Sequence, residues 1–101
     1  MKEKKFYKKI VCADGFTMSV QAGEAKYCSP RIDEAQSYAA VEVGYPSETE
    51  SMLMPYCEDP ARPTQTVYGY VPGDTVFLIC TKHGGIVSGE LPPGIPYLPA
   101  T

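Results

Sequence analysis

Residues 8–21 read KKIVCADGFTMSVQ, two β-rich runs on either side of Asp14-Gly15. The second run, residues 16–21, alternates strictly between apolar and polar side chains, which is typical of a strand with one buried face. An Asp-Gly pair between two such runs indicates a hairpin, because both residue types tolerate the positive φ angles of a tight turn. With a two-residue turn, the face of this hairpin predicted to lie in the core carries Val11, Ala13, Phe16, Met18 and Val20.

Two further strands are predicted downstream of the hairpin. Residues 38–43 alternate in the same way, and residues 66–71 are rich in β-branched and aromatic side chains. Gly44 and Pro72 follow these runs and end them, since glycine weakens a strand and proline cannot donate to its hydrogen-bond ladder. The sequence therefore predicts three or four antiparallel strands at 8–12, 16–21, 38–43 and 66–71.

Two helices are predicted as well. Ser47 and Glu50 have the S-x-x-E spacing of a capping box, which predicts a short helix near residues 47–56. The apolar positions of residues 74–83 share one helical face, and Gly84-Gly85 supplies a stop, so this segment is predicted to form a second helix. A buried strand over residues 75–79 is the alternative for the second segment.

The chain of 101 residues is long enough for one domain with a single hydrophobic core. The expected fold is an α+β domain over residues 8–88, with a small antiparallel sheet and two helices on one face. A flexible basic arm is expected at residues 1–7. Residues 89–101 form a proline-rich tail with prolines at every third position, the spacing of a polyproline II helix.

Charge is distributed unevenly along the chain. Five of the nine basic residues lie in the first nine positions, whereas residues 10–101 contain four bases and eleven acids. Residues 32–60 contain seven acids and no base. A surface of one sign steers association with a partner of the opposite sign. The alternative is an acidic face that serves only solubility.

The sequence contains few residues with catalytic or metal-binding potential. Cys80 and His83 have the spacing of half a zinc site, but the remaining cysteines are not paired along the chain, so no metal is predicted. No nucleophile elbow or phosphate-binding glycine motif is present, so neither a catalytic residue nor a cofactor is predicted. No direct nucleic-acid binding is expected, and no apolar stretch approaches the roughly 20 residues of a membrane span. Free buried thiols in a reducing cytoplasm are expected for the four cysteines, Cys12, Cys28, Cys57 and Cys80.

Tyrosine is unusually frequent, with eight tyrosines against three phenylalanines and no tryptophan. Tyrosine provides a large contact area at a small entropic cost, and tyrosines beside carboxylates suit a partner that presents arginine and lysine. Tyrosines at the rim of a small core are the alternative. The residues predicted to contact a partner are Tyr27, Arg31, Glu42, Tyr45, Glu48, Glu50, Tyr56, Glu58 and Asp59.

Four stretches, VCADGFTMSVQA (11–22), YCSPR (27–31), VEVGYPS (41–47) and VYGYVP (67–72), resemble a family of small proteins encoded by tailed bacteriophages and prophages. The resemblance covers about residues 8–86 and leaves residues 90–101 outside it. The family carries no assigned activity, so the resemblance implies a phage setting and no residue roles. Small acidic phage proteins without enzymatic motifs often bind and block host enzymes, among them defence nucleases with basic grooves.

These observations predict a non-enzymatic, anti-CRISPR-like protein that inhibits a host nucleic-acid-handling defence enzyme. Its acidic region, residues 32–60, is expected to face a basic groove of that enzyme. Two alternatives remain open. One is a virion or assembly protein that associates with itself through a sheet edge or the proline-rich tail. The other is a small zinc-stabilised module.

Overall fold

The fold of residues 6–101, which the computed structural model describes, is a five-stranded antiparallel sheet with one α-helix. The strand order is β4-β3-β2-β1-β5, and every neighbouring pair is antiparallel. Residues 1–5 of the predicted basic arm lie outside the described residues. The elements are β1 (Ile10–Cys12), β2 (Thr17–Gln21), β3 (Ala40–Gly44), a 3-10 turn (Met54–Tyr56), β4 (Val67–Pro72), α1 (Gly73–Lys82) and β5 (Ile86–Ser88).

The predicted fold of three or four strands with two helices is wrong, because the sheet has a fifth strand and residues 47–56 form no α-helix. The Ser47 hydroxyl accepts a hydrogen bond from the Thr17 backbone N–H at 2.9 Å, and the Glu50 carboxylate binds His83 and Lys82. Both side chains of the expected capping box are thus used elsewhere. Only the 3-10 turn remains, and α1 occupies the second predicted helical segment.

The hairpin of β1 and β2 has a register one residue away from the predicted one. The Cys12 N–H donates to the Phe16 carbonyl at 2.8 Å, which leaves three residues in the loop, with Gly15 at a φ of 95°. Ile10 therefore pairs with Met18. Because side chains alternate along a strand, this slip places Ile10 and Cys12 in the core instead of Val11 and Ala13.

The core lies between α1 and one face of the sheet. Val76, Ile79 and Cys80 of α1 are fully buried, as are Val41 and Val43 of β3. Among residues 6–101, no helix covers the other face of the sheet. We call this side the open face, which carries the side chains of Val11, Thr17, Ser19, Gln21, Glu42 and Val67 together with Gly44 and Gly69.

Other segments of the chain cover both edges of the sheet. At the β4 edge, Cys57 forms a bridge with Tyr68, and the Glu58 N–H donates to the Val67 carbonyl at 3.1 Å. Such contacts occupy backbone groups that a second sheet would otherwise use for pairing.

The β5 edge is covered by the proline-rich tail. The Ile86 N–H donates to the Leu98 carbonyl at 2.8 Å, and the Ala100 N–H donates to the Ile86 carbonyl at 2.9 Å. Ile95 is buried in the core, and the Pro93 carbonyl accepts a hydrogen bond from the Tyr38 N–H. The tail is therefore packed on the domain.

The one α-helix of the described residues, α1, has ten residues, and none of the helical segments in this part of the chain has the length and apolar character of a membrane span.

Candidate functional site

The structure separates the nine predicted partner-contact residues into three groups. The first group lies on or beside the open face and consists of Tyr27, Arg31, Glu42 and Tyr45. The second lies along the end of the sheet where β3 ends and β4 begins, and consists of Glu48, Glu58 and Asp59. The third consists of Glu50, which is buried inside the fold, and Tyr56, which is half-buried in the 3-10 turn.

The seven acids of residues 32–60 do not form one surface. Asp33 accepts a hydrogen bond from the Glu24 N–H at 2.9 Å, in the loop that follows β2, and Glu34 is its neighbour. This loop lies at the opposite end of the sheet from Glu48 and Glu58. The acidic surface is accordingly smaller than the sequence interval indicates.

Tyr27 anchors an aromatic and charged surface on the open face. Its backbone N–H donates to the Glu42 carboxylate at 3.1 Å, and the Arg31 guanidinium lies 5.4 Å from the centre of its ring. The Tyr70 ring lies 6.1 Å away. A side chain at Gly69 would meet the Tyr27 Cβ at 3.1 Å, so the glycine permits this close approach.

Two exposed tyrosines beside this surface have unusual backbone conformations. Tyr45 and Tyr70 have φ angles of 51° and 54°, in the left-handed region. Tyr70 belongs to a bulge, because two residues of β4 lie opposite Glu42 alone. A left-handed conformation at a non-glycine residue costs about 1 kcal/mol or more and is concentrated at functional sites. Both rings remain about half exposed, so the strain is not offset by burial of the ring in this chain.

A groove of about 350 Å³ opens on the same face beside Tyr45; we call it the open-face groove. Of its lining, only Glu42 and Tyr45 were predicted as contact residues. One sequence feature could have indicated the groove: two small residues, Ser19 and Gly44, lie opposite each other on the neighbouring strands β2 and β3. The groove is lined by Phe6, Lys9, Ser19, Gln21, Lys26, Glu42, Gly44, Tyr45 and Val67.

His83 lies buried between two carboxylates. Its Nδ1 is 2.6 Å from the Asp14 carboxylate, its Nε2 is 2.7 Å from the Glu50 carboxylate, and its ring stacks on Phe16 at 4.1 Å. The Lys82 ammonium binds the second oxygen of Glu50 at 3.0 Å. Because both ring nitrogens are occupied, neither is free to act as a base or to bind a metal. We call Asp14, Glu50, Lys82 and His83 the His83 cluster.

The charges of the His83 cluster shift its pKa values. Burial opposes the charged imidazole, but hydrogen bonds and charge from Glu50 and Asp14 outweigh it and raise the pKa of His83. The Phe16 N–H and then His83 lower the pKa of Asp14. Burial opposes the charged form of Glu50 as well, but the Met52 N–H, His83 and Lys82 lower its pKa. The protonated ring with two carboxylates is therefore the favoured state.

We expect the free energy of unfolding to be largest at weakly acidic pH. His83 holds its proton more tightly in the folded chain, so its stabilising contribution is complete below about pH 6.5, the ordinary histidine value, and is lost as the pH rises through the folded pKa. Asp14 and Glu50 act in the opposite direction. Their contribution is present above about pH 4 and is lost as the pH falls through their lowered pKa values.

Urea unfolding midpoints measured from about pH 3 to about pH 9 test this expectation. The variant His83→Gln cannot gain a proton, so its midpoint should lose the decline on the alkaline side. A wild-type profile as flat above neutrality as that of His83→Gln would contradict the assignment of the charge to His83.

Three of the four thiols are buried as expected, whereas Cys57 is only half-buried. All four cysteines are free. Burial raises the pKa of the Cys80 thiol to about 12 and also raises the pKa of Cys12, which lies beside it. A thiol is a weak nucleophile until it ionises. Over the described part of the chain, no group of three or more His, Cys, Asp or Glu side chains is placed to hold a metal ion.

No protein-family model matches the sequence, no curated protein matches it, and no solved structure matches the fold. No relative therefore lends a role to the open face, to the His83 cluster or to the exposed acids.

Proposed function

We propose that this protein is a non-enzymatic, phage-encoded inhibitor that binds a host nucleic-acid-handling defence enzyme and covers its basic groove. The observation that carries the proposal is the acidic end of the sheet, defined as the exposed carboxylates Glu48, Glu58 and Asp59, beside the exposed ring of Tyr45. Carboxylates and a tyrosine ring together suit arginine and lysine side chains, through charge-assisted hydrogen bonds and stacking.

Backbone hydrogen bonds fix the acidic end to the sheet. The Tyr45 N–H donates to the Thr66 carbonyl at 3.0 Å, and Glu58 is held against β4 by its bond to Val67. Glu48 follows Ser47, which is held against β2 by its bond to Thr17. The segments that carry Glu48 and Glu58 are therefore about two strand spacings, or roughly 10 Å, apart. This width suits a groove more than a single charged contact.

The charge balance of the acidic end also supports a basic partner. Its three carboxylates outnumber the one base beside them, Arg62, which lies in the turn after Asp59. The Lys82 ammonium is held by buried Glu50. Exposed carboxylates keep their hydration until a partner arrives, and they accelerate association with a positively charged surface.

Two further features support a binder that acts as a single chain and without catalysis. The imidazole of His83 has both nitrogens occupied and the thiols of Cys12 and Cys80 are buried, so these groups do not supply a base and a nucleophile. The covered edges of the sheet disfavour edge-to-edge assembly.

The test begins with capture of partners from host lysate at low and high salt, followed by purification of any retained nucleic-acid enzyme. We expect the purified enzyme to bind this protein directly, to bind it less tightly as salt rises, and to release its nucleic acid on binding. An enzyme that holds the protein and its nucleic acid at the same time would contradict the proposed mode of inhibition.

A matched pair of variants assigns the contact to the acidic end. Glu48→Gln with Asp59→Asn should weaken binding about tenfold, since each exposed charge contributes up to about 1 kcal/mol. Glu24→Gln with Asp74→Asn changes the net charge equally at positions away from the acidic end and should leave the affinity within about twofold. Equal weakening by both pairs would reduce the effect to overall charge and overturn the assigned surface.

A further inference from the structure

We propose that the open-face groove binds an apolar carboxylate, a ligand with a hydrocarbon or aromatic body and one anionic group. The groove lies on the face of the sheet, whereas the acidic end lies along its margin. The proposal does not depend on the proposed function, because it concerns a different ligand and different charges.

The floor of the groove owes its space to Gly44. A Cβ atom built on Gly44 would lie 3.5 Å from the Val67 Cγ1 and 3.9 Å from the Ser19 Cβ, so a side chain here would occupy the groove. The volume of about 350 Å³ lies at the lower end of the range for small-molecule sites, roughly 300–1,000 Å³. The floor therefore accommodates one compact apolar body.

The walls of the groove expose apolar surface. Phe6 is 70% exposed and Tyr45 is 59% exposed, and both line the groove beside Val67. Exposed aromatic rings around a concave surface gain most from a ligand that removes them from water. The strained backbone of Tyr45 holds its ring at this position without burying it.

The charges of the lining select the sign of the ligand. Lys9 and Lys26 line the groove, and neither ammonium forms an ion pair with any of the described residues. The lining also contains the Glu42 carboxylate, one oxygen of which accepts the Tyr27 N–H. Two ammonium groups against one carboxylate leave the lining net positive. An anionic group beside the lysines, with an apolar body on the floor, matches both features.

The fluorescent probe 8-anilinonaphthalene-1-sulfonate, an aromatic anion, tests the site directly. We expect its fluorescence to rise and to saturate at one molecule per chain, and decanoate to displace it. The uncharged analogue N-phenyl-1-naphthylamine should bind at least about tenfold more weakly, because it lacks the group that faces the lysines. Equal binding of the two probes would overturn the preference for an anion, and failure of decanoate to compete would overturn the carboxylate.

Variants of the groove locate the probe. Gly44 lies in β3 outside the left-handed region, so Gly44→Val introduces a strand-favouring residue that fills the floor and should weaken probe binding by about tenfold or more. Lys9→Gln and Lys26→Gln should each weaken it by up to about fivefold, whereas Lys8→Gln, an exposed lysine outside the lining, should not.

Three outcomes would overturn the site. They are probe binding unchanged by Gly44→Val, equal effects of the three lysine variants, and a change in oligomeric state with Gly44→Val, which would assign the groove to a second copy of the chain. Far-UV circular dichroism shows whether Gly44→Val is folded. If it is not, the lysine variants alone decide, because they alter only exposed or half-buried ends of side chains.

Discussion

Replacing His83 with alanine is expected to lower the free energy of unfolding by about 3 kcal/mol, because it removes one partner of a buried ion pair and leaves a cavity beside Phe16. Glu50, which is 2% exposed, would keep Lys82, the Met52 N–H and the more distant Ser51 hydroxyl as partners and would lose the one that faces its other oxygen. A domain of this size has roughly 5–15 kcal/mol of stability, so the loss is a large share of the total. Urea unfolding at weakly acidic pH, followed by circular dichroism, measures it.

A control on the same helix separates this effect from a general sensitivity of α1. Thr81 is exposed, and its hydroxyl donates only to the Phe77 carbonyl, so Thr81→Ala should change the stability by about 0.5 kcal/mol or less. If His83→Ala were no more destabilising than Thr81→Ala, the cluster would not stabilise the fold.

Removal of residues 97–101 is expected to make the protein associate with itself more strongly than the full chain does. The deletion takes away both backbone partners of Ile86 and exposes the edge of β5, while Ile95 stays in the core. Unpaired N–H and C=O groups at a sheet edge are a template for pairing with another chain. Two lost hydrogen bonds should also reduce stability by about 1–3 kcal/mol.

Light scattering after size-exclusion chromatography, over a range of concentrations, measures the effect of the deletion. A chain that lacks only the exposed Thr101 serves as the control and should associate no more strongly than the full chain. A truncated chain that associates no more strongly than the full chain at any concentration would mean that the tail does not protect the edge.

The elements that the sequence predicts well are those with local signals. The Asp14-Gly15 hairpin, β3 and β4 lie within two residues of their predicted positions, because turn formers and alternating side chains mark them. β5 was not predicted, since a strand of three residues is too short to show an alternation of apolar and polar side chains. The hairpin register was wrong because loops of two and three residues both accommodate Asp-Gly, and the choice reverses the two faces.

The elements that the sequence predicts badly are those set by distant contacts. Glu50 has the position of a helix-capping residue, yet His83, 33 residues away, binds its carboxylate. A local pattern carries no information about such a partner, so both the false helix and the exposed role expected of Glu50 have one cause. The groove was missed for a related reason: its lining comes from five separated stretches of chain, and none of them is distinctive alone.

The residues of the His83 cluster are far apart in the sequence, and this separation affects the folding kinetics. Asp14 and His83 are 69 residues apart, so their contact closes most of the chain into a loop, and the entropy of that closure must be overcome before the ion pairs form. We expect these ion pairs to form after the main folding barrier. The cluster is then expected to slow unfolding far more than it speeds folding. Its ion pairs connect the hairpin, the loop around Glu50 and the end of α1, so these three segments should separate only when the whole chain unfolds.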